Sequence, residues 1–146
     1  MASVPPFESN GNLPPGIHWT SWPEFVSRFD TNSERHRIIT GLREAIELLR
    51  RAGCRAVYIG GSLVTNKESP NDFDACWEGE GVSPTFLYHL EPALVGSLED
   101  LKARFGGELS RAHAITAFSG KSFLCFLQGD KNNNPKGVIA INLREL

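Results

Sequence analysis

Tyr58-Ile59-Gly60-Gly61-Ser62-Leu63-Val64-Thr65-Asn66-Lys67-Glu68-Ser69-Pro70-Asn71-Asp72-Phe73-Asp74-Ala75-Cys76-Trp77 is the stretch on which the reading of the fold turns. It opens at the end of a β-branched and aromatic run, Ala56 to Ile59, which reads as a buried strand closed by two glycines. Glycines at a strand end let the backbone turn sharply and approach a ligand, and the N–H groups and hydroxyl around Ser62 are suitable donors for phosphate oxygens. Phe73 to Trp77 reads as a second strand. Asp72 and Asp74 stand two apart, so in an extended segment both carboxylates project from one face. Like charges that close favour a bound divalent cation, and an all-oxygen ligand set suits Mg2+ or Mn2+ better than Zn2+.

Upstream, Ile38, Leu42, Ile46 and Leu49 recur every three or four residues, which predicts a helix from about Glu34 to Ala52, ended by Gly53. A shorter helix is signalled at Ser21-Trp22-Pro23-Glu24, with Trp22, Phe25, Val26 and Phe29 as its apolar stripe. Downstream come a Gly and Pro loop from Gly79 to Pro84 and a weak helical patch at Thr85 to Leu90. The capping box Ser97-Leu98-Glu99-Asp100 then opens a helix that Gly106-Gly107 stops. Phe123 to Gln128 and Val138 to Leu143 read as two strands joined by turn residues, a C-terminal β-hairpin. Residues 1 to 16, with four prolines, predict an irregular N-terminal strap, and residues 17 to 146 a single domain. The order of elements suits an α+β fold, a mixed sheet flanked by helices.

A chain of 146 residues is long enough to bury a core without disulfide or metal staples. A net charge of −2 argues against a surface that coats polyanions broadly, although the arginines of the long helix offer a local basic patch. Residues 71 to 100 hold seven acids and no Lys or Arg, a stretch that invites cations. Cys54, Cys76 and Cys125 are too far apart for a C-x-x-C motif and are expected as reduced, buried thiols. Residues 1 to 16 lack a basic and an apolar signal region, and no apolar run approaches ~18 residues, so a cytoplasmic protein with no membrane contact is expected. Neither a P-loop nor a dinucleotide fingerprint nor a G-x-S-x-G elbow fits the letters around Gly60-Gly61, and the four histidines show no metal-ligand spacing.

An apolar strand, Gly61-Ser62, a loop, then Asp72-Phe73-Asp74 on the next strand resembles the signature of the polymerase-β-like nucleotidyltransferase superfamily. The likeness covers residues 34 to 78, extends towards 110, and looks closest to minimal single-domain bacterial members, some of them toxin–antitoxin components. It implies a mixed sheet flanked by helices and transfer of a nucleoside monophosphate from an NTP to an RNA, protein or small-molecule acceptor. It assigns Mg2+ (or Mn2+) to Asp72 and Asp74, the triphosphate to Gly60, Gly61 and Ser62, and a further phosphate contact to Lys67 in the loop. A third carboxylate is also implied on a later strand. Glu108, after the Ser97 to Phe105 helix, is the best-placed candidate, although Gly-Gly-Glu-Leu-Ser has little strand character. Asp130, in the expected hairpin turn, and Asn142, which would coordinate a cation poorly, are the alternatives. A catalytically degenerate module that binds a cognate protein, antitoxin-like, is the competing expectation.

Overall fold

A computed structural model describes residues 4–116 and 119–146. Five strands form one mixed sheet: β1 (Ile17–Thr20), β2 (Ala56–Gly60), β3 (Phe73–Trp77), β4 (Gly107–Arg111) and β5 (Val138–Asn142), in the order β1-β5-β2-β3-β4. β1 runs parallel to β5 and β3 parallel to β4, while β2 is antiparallel to both of its neighbours. Helices α1 (Trp22–Phe29), α2 (Ser33–Arg51), α3 (Pro84–Leu90), α4 (Leu98–Phe105) and α5 (Phe123–Leu127) complete the α+β architecture.

Side chains alternate across a strand, so each strand supplies both faces of the sheet. Val57, Ile59, Phe73, Trp77, Leu109, Ile139 and Ile141 point to one face and join the main core with Ile38, Leu42, Ile46 and Leu49 of α2. Each fully buried Leu or Ile of that stripe contributes about 2 kcal/mol. The Asn32 side chain caps α2 by accepting from the Arg35 N–H at 2.9 Å, and Gly53 follows its end at φ +95°. The expected capping box of α4 is present, Ser97 and Asp100 each accepting from the other's N–H.

Intervening residues of the same strands, Ala56, Tyr58, Cys76 and Ala140, form a smaller cluster on the opposite face with Ala112, covered by Phe123, Leu124 and Leu127. That cover corrects the expected hairpin. Phe123–Leu127 is a helix, its first turn capped by the Ser122 hydroxyl, which accepts from the Cys125 N–H at 3.1 Å. β5 therefore pairs with β1 and β2, and the chain between α5 and β5 closes only through a Gly129–Pro135 bridge. Residues 4–16 are irregular, as the prolines require, but Leu13 is fully buried. The strap leads into β1, an edge strand whose four residues carry no strong period of their own.

Candidate active site

β2 ends at Gly60, and the chain reverses through Gly61, at φ +69°, into a short 3-10 turn over Ser62–Val64. A side chain at Gly61 would be strained at that φ, and its Cβ would lie 2.9 Å from the Cβ of Asp74 and against the Asp74 carboxylate. Of the two aspartates, Asp74 packs over the glycine turn, whereas Asp72 is not among the residues that line the cavity beside it. Gly60, directly opposite Asp74 in the antiparallel pair, projects to the same face, and a Cβ there would meet the Leu127 side chain at 3.1 Å. Its bareness admits α5 rather than a ligand.

The loop after the turn is held from beneath. Arg35 of α2 is buried and donates to the carbonyls of Phe29 at 3.3 Å, Leu63 at 2.7 Å, Thr65 at 2.8 Å and also Lys67. Desolvation lowers its pKa, and no carboxylate pairs with it among the described residues. The Thr65 hydroxyl also donates to the Ser62 carbonyl, at 2.7 Å. Lys67 lies on the side of the loop facing Phe7, Arg28 and Arg35, away from Asp74. Lys67, the expected phosphate contact, is not among the residues that line the cavity beside Asp74: its carbonyl serves the Arg35 clamp and the residue lines a different hollow.

Glu108 lies on β4 directly in register with Asp74 on the neighbouring parallel strand, so both project from the same face. Pairing with β3 makes the Gly107–Arg111 segment a strand despite its weak propensity. Asp72 stands one step outside β3, and the Lys102 ammonium from α4 spans it and Glu108, 3.5 Å from the Asp72 Oδ2 and 3.4 Å from the Glu108 Oε1. Burial, then the charges of Asp72 and Glu108, push the Asp74 carboxyl up to about 6, while Lys136 and Lys102 pull it the other way.

Among the described residues no three His, Cys, Asp or Glu side chains are gathered tightly enough to enclose a metal ion. The Lys102 ammonium bridges Asp72 and Glu108, and Asp74 projects beside Glu108 from the neighbouring strand; carboxylate oxygens are the ligand type that a divalent cation takes.

Asp74 and Glu108 open on a cavity of about 480 Å3. Gly61, Ser62 and Ser110 share its sheet-side wall; Phe123, Phe126 and Leu127 of α5 stand across from them, and Asp130 and Lys136 reach in from the following loop. Lys136 went unnoticed in the sequence because it lies in a turn far along the chain from Asp74. Burial lowers its pKa while the Asp74 and Asp130 charges oppose that shift.

The two alternatives to Glu108 are engaged in local hydrogen bonds, Asp130 at the cavity and Asn142 away from it. Asp130 accepts from the N–H groups of Asn132 at 2.8 Å and Asn134 at 2.9 Å and from the amides of Asn12 and Asn134 at 3.3 Å, which makes it the staple of its own turn. Asn142 pairs with Ala56, at the end of β2 remote from Gly60, and its side chain accepts from the Arg144 N–H at 3.0 Å. The thiols divide as well: Cys54 and Cys76 are buried, as expected, but Cys125 is exposed.

Residues 5–142 match the model of a family of unknown function, DUF6932. The chain belongs to that family. No curated protein and no solved structure matches it. The DUF6932 match takes in both carboxylate-bearing strands, the glycine turn, the Arg35 clamp and the loop that carries Lys136. In this DUF6932 chain the cavity is chemically divided: N–H and hydroxyl donors with an ammonium suit an anion, and the carboxylates suit a cation or a proton. No helix among the described residues is long and apolar enough to cross a membrane.

Proposed function

We propose that this DUF6932 protein is a metal-dependent nucleotidyltransferase, moving an NMP group from an NTP to an acceptor hydroxyl on an RNA, a protein or a small molecule. The observation that carries the reading is the meeting of Asp74 with the Gly61 turn, beside an in-register Glu108, at the wall of a cavity large enough for part of a nucleotide. Asp72, Asp74 and Glu108 would hold Mg2+ or Mn2+. Such an ion, when bound, neutralises charge on the triphosphate and the transferring phosphoryl group.

The remaining work falls to the chain itself. The N–H groups after Gly61 and the Ser62 hydroxyl grip phosphate oxygens, and Lys136 adds a positive charge to that end of the cavity. The acceptor oxygen forms its bond to the α-phosphorus, the bond to the pyrophosphate oxygen breaks, and pyrophosphate leaves. The acceptor proton passes to a carboxylate of the trio, with Glu108, half-exposed at the cavity mouth, in reach of an incoming hydroxyl. Such chemistry draws on the cytoplasmic NTP pool, which is the compartment this reading requires.

Incubation with each of the four α-32P-labelled NTPs and Mg2+ or Mn2+, with total RNA or lysate protein as acceptor, tests the proposal. Label should transfer with the parent protein, and Asp74→Asn should cut the transfer at least a hundredfold while the melting curve stays cooperative. Equal labelling by parent and variant, or none under any condition, overturns it.

The Lys102 bridge supports a second reading, because an ammonium already satisfying two of three carboxylates suits a protein that never takes up a metal. That protein would be an antitoxin-like module binding a cognate partner. Under this reading Mn2+ leaves the melting temperature unchanged and Asp74→Asn retains partner binding.

A further inference from the structure

A second and wider hollow, of about 980 Å3, adjoins the active-site cavity and shares Phe126, Gly129, Asp130 and Lys131 with it. The two hollows thus adjoin at the end of α5 and the start of the loop after it. Their chemistry differs, however. The inner cavity is walled by Asp74 and Glu108 with Lys136, whereas the outer hollow has neither of those carboxylates and adds Lys121 to the shared Lys131, with Gln128, Asn133 and Asn134 as further amides.

Its single carboxylate, Asp130, is held in place by four hydrogen bonds from Asn12, Asn132 and Asn134, and its one negative charge stands against the two ammonium groups of Lys121 and Lys131. Neither Lys121 nor Lys131 pairs with a carboxylate among the described residues, and both are exposed. Phe126 stands at the junction of the two hollows with 47% of its surface exposed, although it is an aromatic residue in a short helix that buries its neighbours Phe123, Leu124 and Leu127 against the sheet. An aromatic face left open between two unpaired ammonium groups and a row of amides is the combination that single-stranded nucleic acids use, bases stacking on rings and phosphates lying along cations.

The geometry points to the outer hollow as a binding groove for the end of a single-stranded nucleic acid, with a base on Phe126, phosphates at Lys121 and Lys131, and the terminal nucleotide directed into the Asp74–Glu108 cavity. This inference rests on the proposed activity in treating that strand as the acceptor; the binding itself does not depend on it. A protein acceptor is the rival, and it is disfavoured because the only apolar side chains lining the groove beside the Phe126 ring are Cys125 and Pro135, set among two lysines and three amides.

Fluorescence anisotropy of a 5′-fluorescein-labelled 12-nucleotide oligouridylate with a free 3′-hydroxyl, on the full chain without metal or NTP, tests the groove. Two phosphate contacts predict an affinity about sevenfold lower at 200 mM than at 50 mM salt. Lys121→Gln with Lys131→Gln should remove most of that salt dependence. Phe126→Ala should weaken binding about tenfold at both salt concentrations, and Phe126→Leu, which keeps the apolar bulk without the ring, should do nearly the same. Undetectable binding, equal binding by all variants, or competition by polyglutamate as effective as by unlabelled oligouridylate overturns the inference.

The two proposals fail separately. Oligouridylate binding without nucleotide transfer sinks the activity alone, and transfer to a small-molecule or protein acceptor without oligouridylate binding sinks the groove alone.

Discussion

The two faces of the sheet are built from the same strands, yet they do opposite things. Phe73 and Asp74 are adjacent in β3. Phe73 enters a core of α2 leucines and isoleucines, where it is fully buried, while Asp74 enters a cavity walled by Glu108, Ser62 and Lys136. The first face obtains stability from apolar contact area. The second spends stability, because its central carboxylate is desolvated and surrounded by like charge. A thin cover suffices there: α5 is five residues long and contributes three apolar side chains, against the 19 residues of α2. The lesson is that the period-two pattern of a strand partitions folding from chemistry one residue at a time.

Substitutions at these neighbouring positions sharpen that contrast. The largest effect belongs to Phe73→Ala, which should cost about 3–5 kcal/mol in urea denaturation, since it leaves a cavity in a fully packed core. A cost below about 1 kcal/mol would mean the α2 face is not the principal core.

Asp74→Asn should move stability in the other direction. The folded-state pKa of Asp74, about 6, lies above its ordinary 3.8, so between those values the folded protein binds more protons than the unfolded chain. Stability contributed by the protonated group is therefore present at low pH and lost as pH rises through about 6. At pH 7.5 the asparagine variant should be more stable than the parent by up to about 2–3 kcal/mol, with the difference shrinking towards pH 4. Urea midpoints at pH 4.5, 6 and 7.5 read this directly; a variant that is less stable at pH 7.5 breaks the contrast between faces. In the same experiment, Mg2+ should stabilise the parent at pH 7.5 and leave the variant nearly unmoved, if the carboxylates take a cation.

The smallest effect is expected from Lys102→Met. Its ammonium is half-exposed and pulls the Asp74 pKa down, so its loss should raise the Asp74 titration midpoint above that of the parent, observed by carbon-detected NMR of the aspartate carboxyls. An unchanged midpoint would show that Lys102 does not share the electrostatics of the trio.

Much of the helix-bearing face was legible in the residues alone. The spacing of Ile38, Leu42, Ile46 and Leu49 specifies α2, Gly53 and Gly106 mark helix ends, and the capping box at Ser97 locates α4, because these signals are local. The opposite face was legible only in part. The Gly61-Ser62 turn and Asp74 stand out by type and spacing, but Phe123-Leu124-Cys125-Phe126-Leu127 is a run of apolar residues too short for its period to separate helix from strand. Its helical state follows from the Ser122 cap and from the flat patch of Ala56, Cys76 and Ala140 onto which it packs. Glu108 becomes a strand residue through its parallel partner, and Lys136 reaches the cavity through a turn stapled by Asp130; neither relation is local. β1 is an edge strand of four residues, below the length at which alternation is informative.

The Arg35 clamp carries one more implication, for how this loop tolerates change. Its guanidinium engages the main chain alone at Leu63, Thr65 and Lys67, so the shape of the turn is insured against the identity of the side chains that decorate it. Exposed positions such as Asn66, Lys67 and Glu68 are thereby released to drift, and a library randomised there should return mostly folded proteins. One arginine underwrites that freedom, and a library randomised at Arg35 instead should return almost no replacement.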